Sequence, residues 1–119
     1  MVQAVSDSIR RDLVILARRK GARFEKWTTQ RPTEWRPRTV RDPSTNDFFT
    51  SEGAWQFIAD LLESGHPIEA VVLQKPPGKQ GFVMHVDLRS DLPRLYIKLE
   101  LGCGIIYGRS FHYDEFSQA

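Results

Sequence analysis

The chain has 119 residues, of which 40% are hydrophobic and 27% charged, and its formal net charge is +2. These values are typical of one soluble domain, so we treat residues 1–119 as a single domain. No stretch approaches the roughly 18 apolar residues of a membrane span, and charges interrupt the apolar core that a signal peptide needs. The single cysteine, Cys103, excludes an internal disulfide and a cysteine-based zinc cluster. We therefore expect a cytoplasmic protein without membrane contact.

The charge is unevenly distributed along the chain. Residues 1–41 contain eleven Lys or Arg against four Asp or Glu, a net charge of +7, whereas residues 42–119 contain six against eleven, a net charge of −5. Such a basic segment indicates a polyanionic partner, most commonly RNA, although a solvated helix face with an arginine-rich connector has the same composition. The candidate RNA-binding residues of this segment are Arg18, Arg19, Arg23, Arg36 and Arg38.

The first predicted helix lies in the basic segment. Ser6 is its N-cap, and the apolar stripe continues to about Lys20, where Gly21 can end it. The proline-rich residues 28–47 then predict an irregular connector. Tryptophans at positions 27 and 35 either pin this connector onto the core or stack on nucleic-acid bases, and we favour pinning.

A second helix is predicted from Thr50 or Ser51 to Ser64, with Gly65 as its left-handed stop. Four strands follow it: Glu69–Leu73, Phe82–Leu88, Leu95–Leu101 and Ile105–Tyr113. Their short connections indicate an antiparallel meander over residues 69–113. The sequence therefore predicts an α+β fold in which two N-terminal helices pack on a four-stranded antiparallel β-meander.

The hairpin of the last two strands determines which side chains share a face. A three-residue turn, 102–104, with Gly104 in the left-handed conformation pairs Leu101 with Ile105. It leaves Arg109 on the apolar face, an unfavourable position that a β-bulge near Gly108 would relieve. A two-residue turn would instead exchange the faces of the last strand. We prefer the three-residue turn because it keeps Phe111 inside and His112 outside.

With that turn, five polar side chains collect on the outer sheet face: His85, Tyr96, Lys98, Ser110 and His112. RNA cleavage without a metal needs a base, an acid and a cation that stabilises the phosphorane. Histidine is suited to the first two roles, Lys98 or Arg109 to the third, and Tyr96 to positioning the substrate. The alternative is an ordinary solvated sheet face, which any half-exposed antiparallel sheet has.

The loop between the first two predicted strands adds two candidate phosphate contacts, Lys75 and Lys79. Its glycines and free backbone amides are typical of anion-binding loops, although a mobile loop with solubilising lysines has the same composition. The three histidines have no metal-ligand spacing. We therefore expect neither a metal nor another cofactor.

The segment from Leu95 to Leu99, followed by Gly108 to His112, resembles the last two strands of the MqsR and RelE type toxins, which are ribonucleases of bacterial toxin–antitoxin systems. Tyr96 and Lys98 match the first strand of the MqsR pattern, and Ser110 matches the second. His112 stands where MqsR-like toxins carry lysine. The resemblance covers about twenty residues, and it implies helices on an antiparallel sheet, a metal-independent endoribonuclease activity and a protein antitoxin as partner.

The leading hypothesis is thus a metal-independent endoribonuclease, the toxin of a toxin–antitoxin system, with RNA and an antitoxin as its partners. The main rival is a non-catalytic module that binds nucleic acid or a protein. A third hypothesis is a small regulatory protein that inhibits its partner by contact, because residues 42–119 are acidic.

Overall fold

The computed structural model describes residues 3–114, which form two α-helices and seven strands. The elements are β1 (Gln3–Ala4), α1 (Asp7–Ala17), β2 (Arg23–Phe24), β3 (Glu34–Trp35), α2 (Ser51–Glu63), β4 (Glu69–Val72), β5 (Gln80–Val86), β6 (Leu95–Leu101) and β7 (Ile106–Tyr113). The α+β class is confirmed. Neither helix is long and apolar enough to cross a membrane.

The helix boundaries follow from their capping residues. The Ser6 hydroxyl accepts a hydrogen bond from the backbone N–H of Ile9 and begins α1, as predicted. This helix ends at Ala17, before the predicted Lys20, because Arg19 adopts an extended conformation and a short 3₁₀ turn follows. The boundaries predicted for α2 are confirmed, with N-cap Thr50 and with Gly65 at a φ of 85°.

The sheet is mixed, so a four-stranded antiparallel meander is too simple a description. Strands β4 to β7 are consecutive antiparallel neighbours, and β1 extends the sheet antiparallel to β4. The two short strands β2 and β3, however, pair in parallel with β7. The predicted irregular connector contributes β3, because extended residues beside an open strand edge can satisfy their backbone hydrogen bonds there.

The turn between β6 and β7 is longer than predicted. Leu101 pairs with Ile106, not with Ile105, and residues 102–105 form the connection. Gly104 has the predicted left-handed conformation, with a φ of 70°. The register next to the turn is therefore shifted by one residue from the predicted one, and Tyr107 lies opposite Glu100.

A β-bulge adds a second shift of one residue. Leu99 pairs with Gly108, whereas Lys98 pairs with Ser110, so Arg109 is the extra residue of the bulge. The bulge was predicted near Gly108, and it moves the Arg109 side chain to the outer face, where it contacts Glu100.

The two shifts together preserve the predicted faces beyond the bulge. One residue of slip would exchange the faces, but two restore them, so Ser110 and His112 remain on the outer face with Tyr96. The opposing pairs are nevertheless different from those predicted, because Tyr96 faces His112 and not Ser110. The outer face also gains Arg109, which the predicted register without a bulge placed on the apolar face.

Both helices pack on the inner face of the sheet and form a single core with it. Trp35 of β3 pins the connector to this core, since its ring stacks on Trp55 of α2 with centroids 4.8 Å apart. Pinning is thus confirmed for Trp35, but it is wrong for Trp27, which is 58% exposed. The Trp35 ring lies directly over Gly108, where a Cβ atom would come within 2.5 Å of Cζ3.

We therefore predict that Gly108→Ala lowers the free energy of unfolding by about 1–3 kcal/mol, because the added methyl group overpacks the Trp35 site. Urea denaturation followed by circular dichroism measures the change. Gly21→Ala is the matched control, since a Cβ there has no neighbour within 4 Å, and it should change stability by less than about 0.5 kcal/mol. Equal stabilities of the two variants would contradict this packing.

Candidate active site

Three rings form a row across the outer face. His85 on β5, Tyr96 on β6 and His112 on β7 are directly opposed across neighbouring strands. The Tyr96 ring centroid lies 5.4 Å from that of His85 and 5.5 Å from that of His112. The two imidazoles therefore flank the phenol from opposite sides.

The hydrogen bonds of the two histidines differ. Nδ1 of His112 lies 2.8 Å from the carbonyl oxygen of Tyr113 and must donate to it, because a carbonyl only accepts. This leaves Nε2 of His112 as the acceptor nitrogen. Nε2 of His85 lies 3.7 Å from a carboxylate oxygen of Glu69, and its Nδ1 lies 3.9 Å from one of Asp114. His85 is thus bordered by negative charge.

Lys98 supplies an ammonium group beside this row. Lys98 is half-buried opposite Ser110, and its ammonium group has no hydrogen bond or ion pair with any residue of the described part of the chain. Burial lowers the pKa of Lys98, the Arg109 guanidinium lowers it further, and the Glu34 carboxylate opposes them. A desolvated cation without a counter-ion favours an anionic ligand.

The row and the lysine lie in one concave site. A groove of about 430 Å³ is lined by Glu34, His85, Tyr96, Lys98, Ser110, His112 and Asp114. All five side chains predicted for the outer face are therefore in this groove. The phenol of Tyr96 is half-buried in it, and burial together with the Asp114, Glu69 and Glu34 carboxylates raises its pKa.

Arg109, the other predicted catalytic candidate, belongs to a buried ion triad. Glu100 is 2% and Arg109 4% exposed, and Nη1 of Arg109 donates to Oε1 of Glu100 over 2.8 Å. Arg31 approaches the same carboxylate, with Nη2 donating to Oε2 over 3.0 Å. A carboxylate buried between two guanidiniums has its charge compensated, as burial requires.

The triad holds two loops beside the groove. Nε of Arg109 donates to the carbonyl oxygen of Pro32, and its Nη2 donates to that of Lys75 over 2.7 Å. The guanidinium of Arg31 also stacks over the Tyr107 ring, 4.3 Å from its centroid. These bonds occupy the Arg109 nitrogens with protein acceptors, so its side chain shapes the groove walls.

Two of the predicted RNA-binding arginines lie on the helical side of the molecule. Arg18 forms ion pairs with Asp60 and Glu63 of α2. Arg23 has a side chain that is only 7% exposed, and it pairs with Glu52 at 2.9 Å. In residues 3–114, four bases of the first half thus pair with acids of the second half: Arg18, Lys20, Arg23 and Arg31. These ion pairs reduce the charge asymmetry in space.

The remaining predicted RNA-binding residues are exposed and dispersed: Arg19, Arg36, Arg38, Lys75 and Lys79. Lys75 lines a second groove that adjoins the first and shares Lys98 with it. Nη2 of Arg36 lies 3.6 Å from Oε2 of Glu34, at the edge of the sheet.

Sequence reasoning missed the carboxylates of this site. Glu34 lies on β3, which pairs in parallel with β7. A strand of two residues is too short to have an alternating pattern that predicts it from the sequence. Glu100 alternates with Lys98 on the outer face, which was a usable signal, but its partner Arg31 is 69 positions away. In residues 3–114, no three side chains of His, Cys, Asp or Glu form a cluster that could hold a metal ion.

No protein-family model, curated protein or solved structure gives a significant match to this chain. These comparisons therefore neither support nor oppose the resemblance to the MqsR and RelE type toxins.

The triad predicts a large effect of Glu100→Gln. Removing the carboxylate charge leaves two guanidiniums facing each other, one of them buried, and should cost about 3–5 kcal/mol of unfolding free energy. Asp60→Asn, in the exposed pair with Arg18, is the control and should cost no more than about 1 kcal/mol. Chemical denaturation of both variants measures the difference, and a Glu100→Gln cost as small as that of the control would show that the triad does not hold the fold.

Proposed function

We propose that the protein is an endoribonuclease, which cleaves internal phosphodiester bonds of RNA in this groove without a metal. The observation that carries the proposal is the row of His85, Tyr96 and His112 with the unpaired Lys98 beside it. In-line displacement at phosphorus needs a base and an acid on opposite sides of the phosphate. Two imidazoles on either side of Tyr96 have that arrangement.

The hydrogen bonds assign the roles of the two histidines. His112 has Nε2 available as an acceptor, so it takes the proton of the ribose 2′-hydroxyl. The 2′-oxygen then attacks phosphorus, the bond from phosphorus to the 5′-oxygen breaks, and a 2′,3′-cyclic phosphate forms. His85, oriented by the Glu69 and Asp114 carboxylates, gives its proton to the leaving 5′-oxygen.

The remaining groups bind and stabilise the phosphate. The Lys98 ammonium faces the charge that develops on the non-bridging oxygens, where a preorganised cation is most effective. Tyr96 lies between the two imidazoles, and we assign its hydroxyl to positioning the phosphate. Ser110, opposite Lys98, is a further hydrogen-bond donor to the same oxygens.

A non-catalytic binding module is the second candidate, because three carboxylates border the groove. Glu34 and Asp114 line it, and Glu69 lies beside His85. Fixed negative charges weaken the attraction of a polyanion, and they also favour a basic segment of a protein partner. Cleavage products distinguish the two candidates directly.

The test is incubation of the purified chain with a single-stranded RNA oligomer in EDTA. We expect fragments that end in 2′,3′-cyclic phosphate. His112→Ala should slow cleavage by about 10²–10⁴-fold, the usual contribution of a general base, and Lys98→Met should slow it by a similar factor. Circular dichroism checks that both variants remain folded.

The matched controls are His66→Ala and Lys20→Met. His66 donates to the backbone carbonyl of His85 from outside the groove, and the exposed Lys20 side chain lies near Glu52 of α2, so both variants should cleave within a few-fold of the wild-type rate. A gel shift without fragments, or undiminished cleavage by His112→Ala, would contradict the enzyme. If the protein is also the toxin of a toxin–antitoxin pair, its expression arrests growth, and His112→Ala relieves the arrest.

A further inference from the structure

A second groove continues from Lys98 away from the histidines. It has a volume of about 730 Å³, which is within the roughly 300–1,000 Å³ of small-ligand sites. Its walls are the segment that carries Trp27 and Pro32 on one side and the segment that carries Gln74 and Lys75 on the other. The proposed chemistry uses Lys98 but leaves most of this groove without a role.

Trp27 is the most unusual residue of the groove. Its side chain is 58% exposed, whereas Trp55 is 1% exposed and Trp35 packs against the core. An exposed indole that borders a concave site is a typical platform for a nucleobase.

The backbone on both sides of Trp27 is firmly anchored. Glu25, two residues before it, accepts hydrogen bonds from Trp55 Nε1 over 3.0 Å and from the Ser51 hydroxyl. After it, Thr28 and Arg31 exchange backbone and side-chain hydrogen bonds, and Arg31 is held by Glu100. The chain thus holds the main chain in place and presents the indole to solvent, an arrangement that reduces the entropy lost on binding.

Other residues that line this groove are suited to the flat apolar face and the polar edge of a base. Val71 and the buried Leu73 supply apolar surface. Gln74 and Thr33 supply hydrogen-bonding groups at the rim, and Lys75 adds a positive charge.

We propose that this second groove is a base subsite, which stacks one unpaired nucleobase on Trp27 next to the phosphate held at Lys98. The inference rests on the proposed ribonuclease function and specifies its substrate as single-stranded RNA, because a paired base has both of its faces covered by its neighbours. Trp27 is then a binding residue that determines substrate preference and takes no part in proton transfer.

The experiment measures binding and cleavage separately. The binding probe is a single-stranded tetranucleotide with 2′-O-methyl riboses, which lacks the attacking hydroxyl, and the readout is the fluorescence anisotropy of a dye attached to its 5′ end. The same backbone with abasic sites is the matched probe. Trp27→Ala should weaken binding of the base-bearing probe about tenfold, and Trp27→Phe should weaken it no more than about threefold. Phe48→Ala, at an aromatic residue that is 51% exposed and does not line the groove, should leave binding unchanged.

With cleavable RNA, Trp27→Ala should raise KM about tenfold and leave kcat within about threefold of wild type, as expected for loss of uniform binding. If the wild type cleaves RNA but Trp27→Ala has an unchanged KM, the base subsite is overturned and the ribonuclease stands. If the wild type does not cleave but binding of the probe depends on Trp27 and on the bases, the subsite is supported and the catalytic function is overturned. If the wild type neither cleaves nor binds the probe, both are overturned.

Discussion

The carboxylate of Glu100 is buried between the guanidiniums of Arg31 and Arg109, and the organisation of the outer face depends on this contact. Arg109 is the additional residue of β7, and on the inner face its charge would be buried without a partner. Because Glu100 lies on the outer face, the ion pair of 2.8 Å stabilises the bulge that brings Arg109 there. The same guanidinium then binds the backbone of the two loops that wall the groove.

The bulge and the ion triad together account for the character of the groove. Beyond the bulge, Ser110 and His112 face the neighbouring strand residues Lys98 and Tyr96. Glu100, the acidic neighbour of Lys98 along β6 on that face, is already paired with two arginines. Lys98 therefore forms no ion pair with a residue of the described part of the chain. Burial and the Arg109 guanidinium lower the pKa of Lys98, and the Glu34 carboxylate in the same groove opposes them.

Much of this fold could be predicted from local patterns. The caps Ser6 and Thr50 and the Gly65 stop defined the helices, and alternation defined the long strands. The outer-face residues were also predicted, although partly because two register shifts of one residue preserve the faces. The parallel pairing of β3 and the Arg31–Glu100 pair could not be predicted, since they join residues 69 or more positions apart and β3 is a two-residue strand without periodicity. The position of Trp27 could not be predicted either, because its segment is held by contacts with α2 and Glu100. Ion pairs between the two halves, such as Arg18 with Asp60 and Arg23 with Glu52, compensate part of the charge asymmetry of the sequence.

The central claim is that a bulge at Arg109 places Tyr96 opposite His112 and Lys98 opposite Ser110. Nuclear Overhauser effects in solution measure these pairings directly, because opposed residues of antiparallel strands have Cα atoms about 4.5–5.5 Å apart. We expect cross-strand effects that connect Tyr96 with His112 and Lys98 with Ser110. Effects that connect Tyr96 with Ser110 and Lys98 with Gly108 would show a three-residue turn and no bulge, and they would contradict the account.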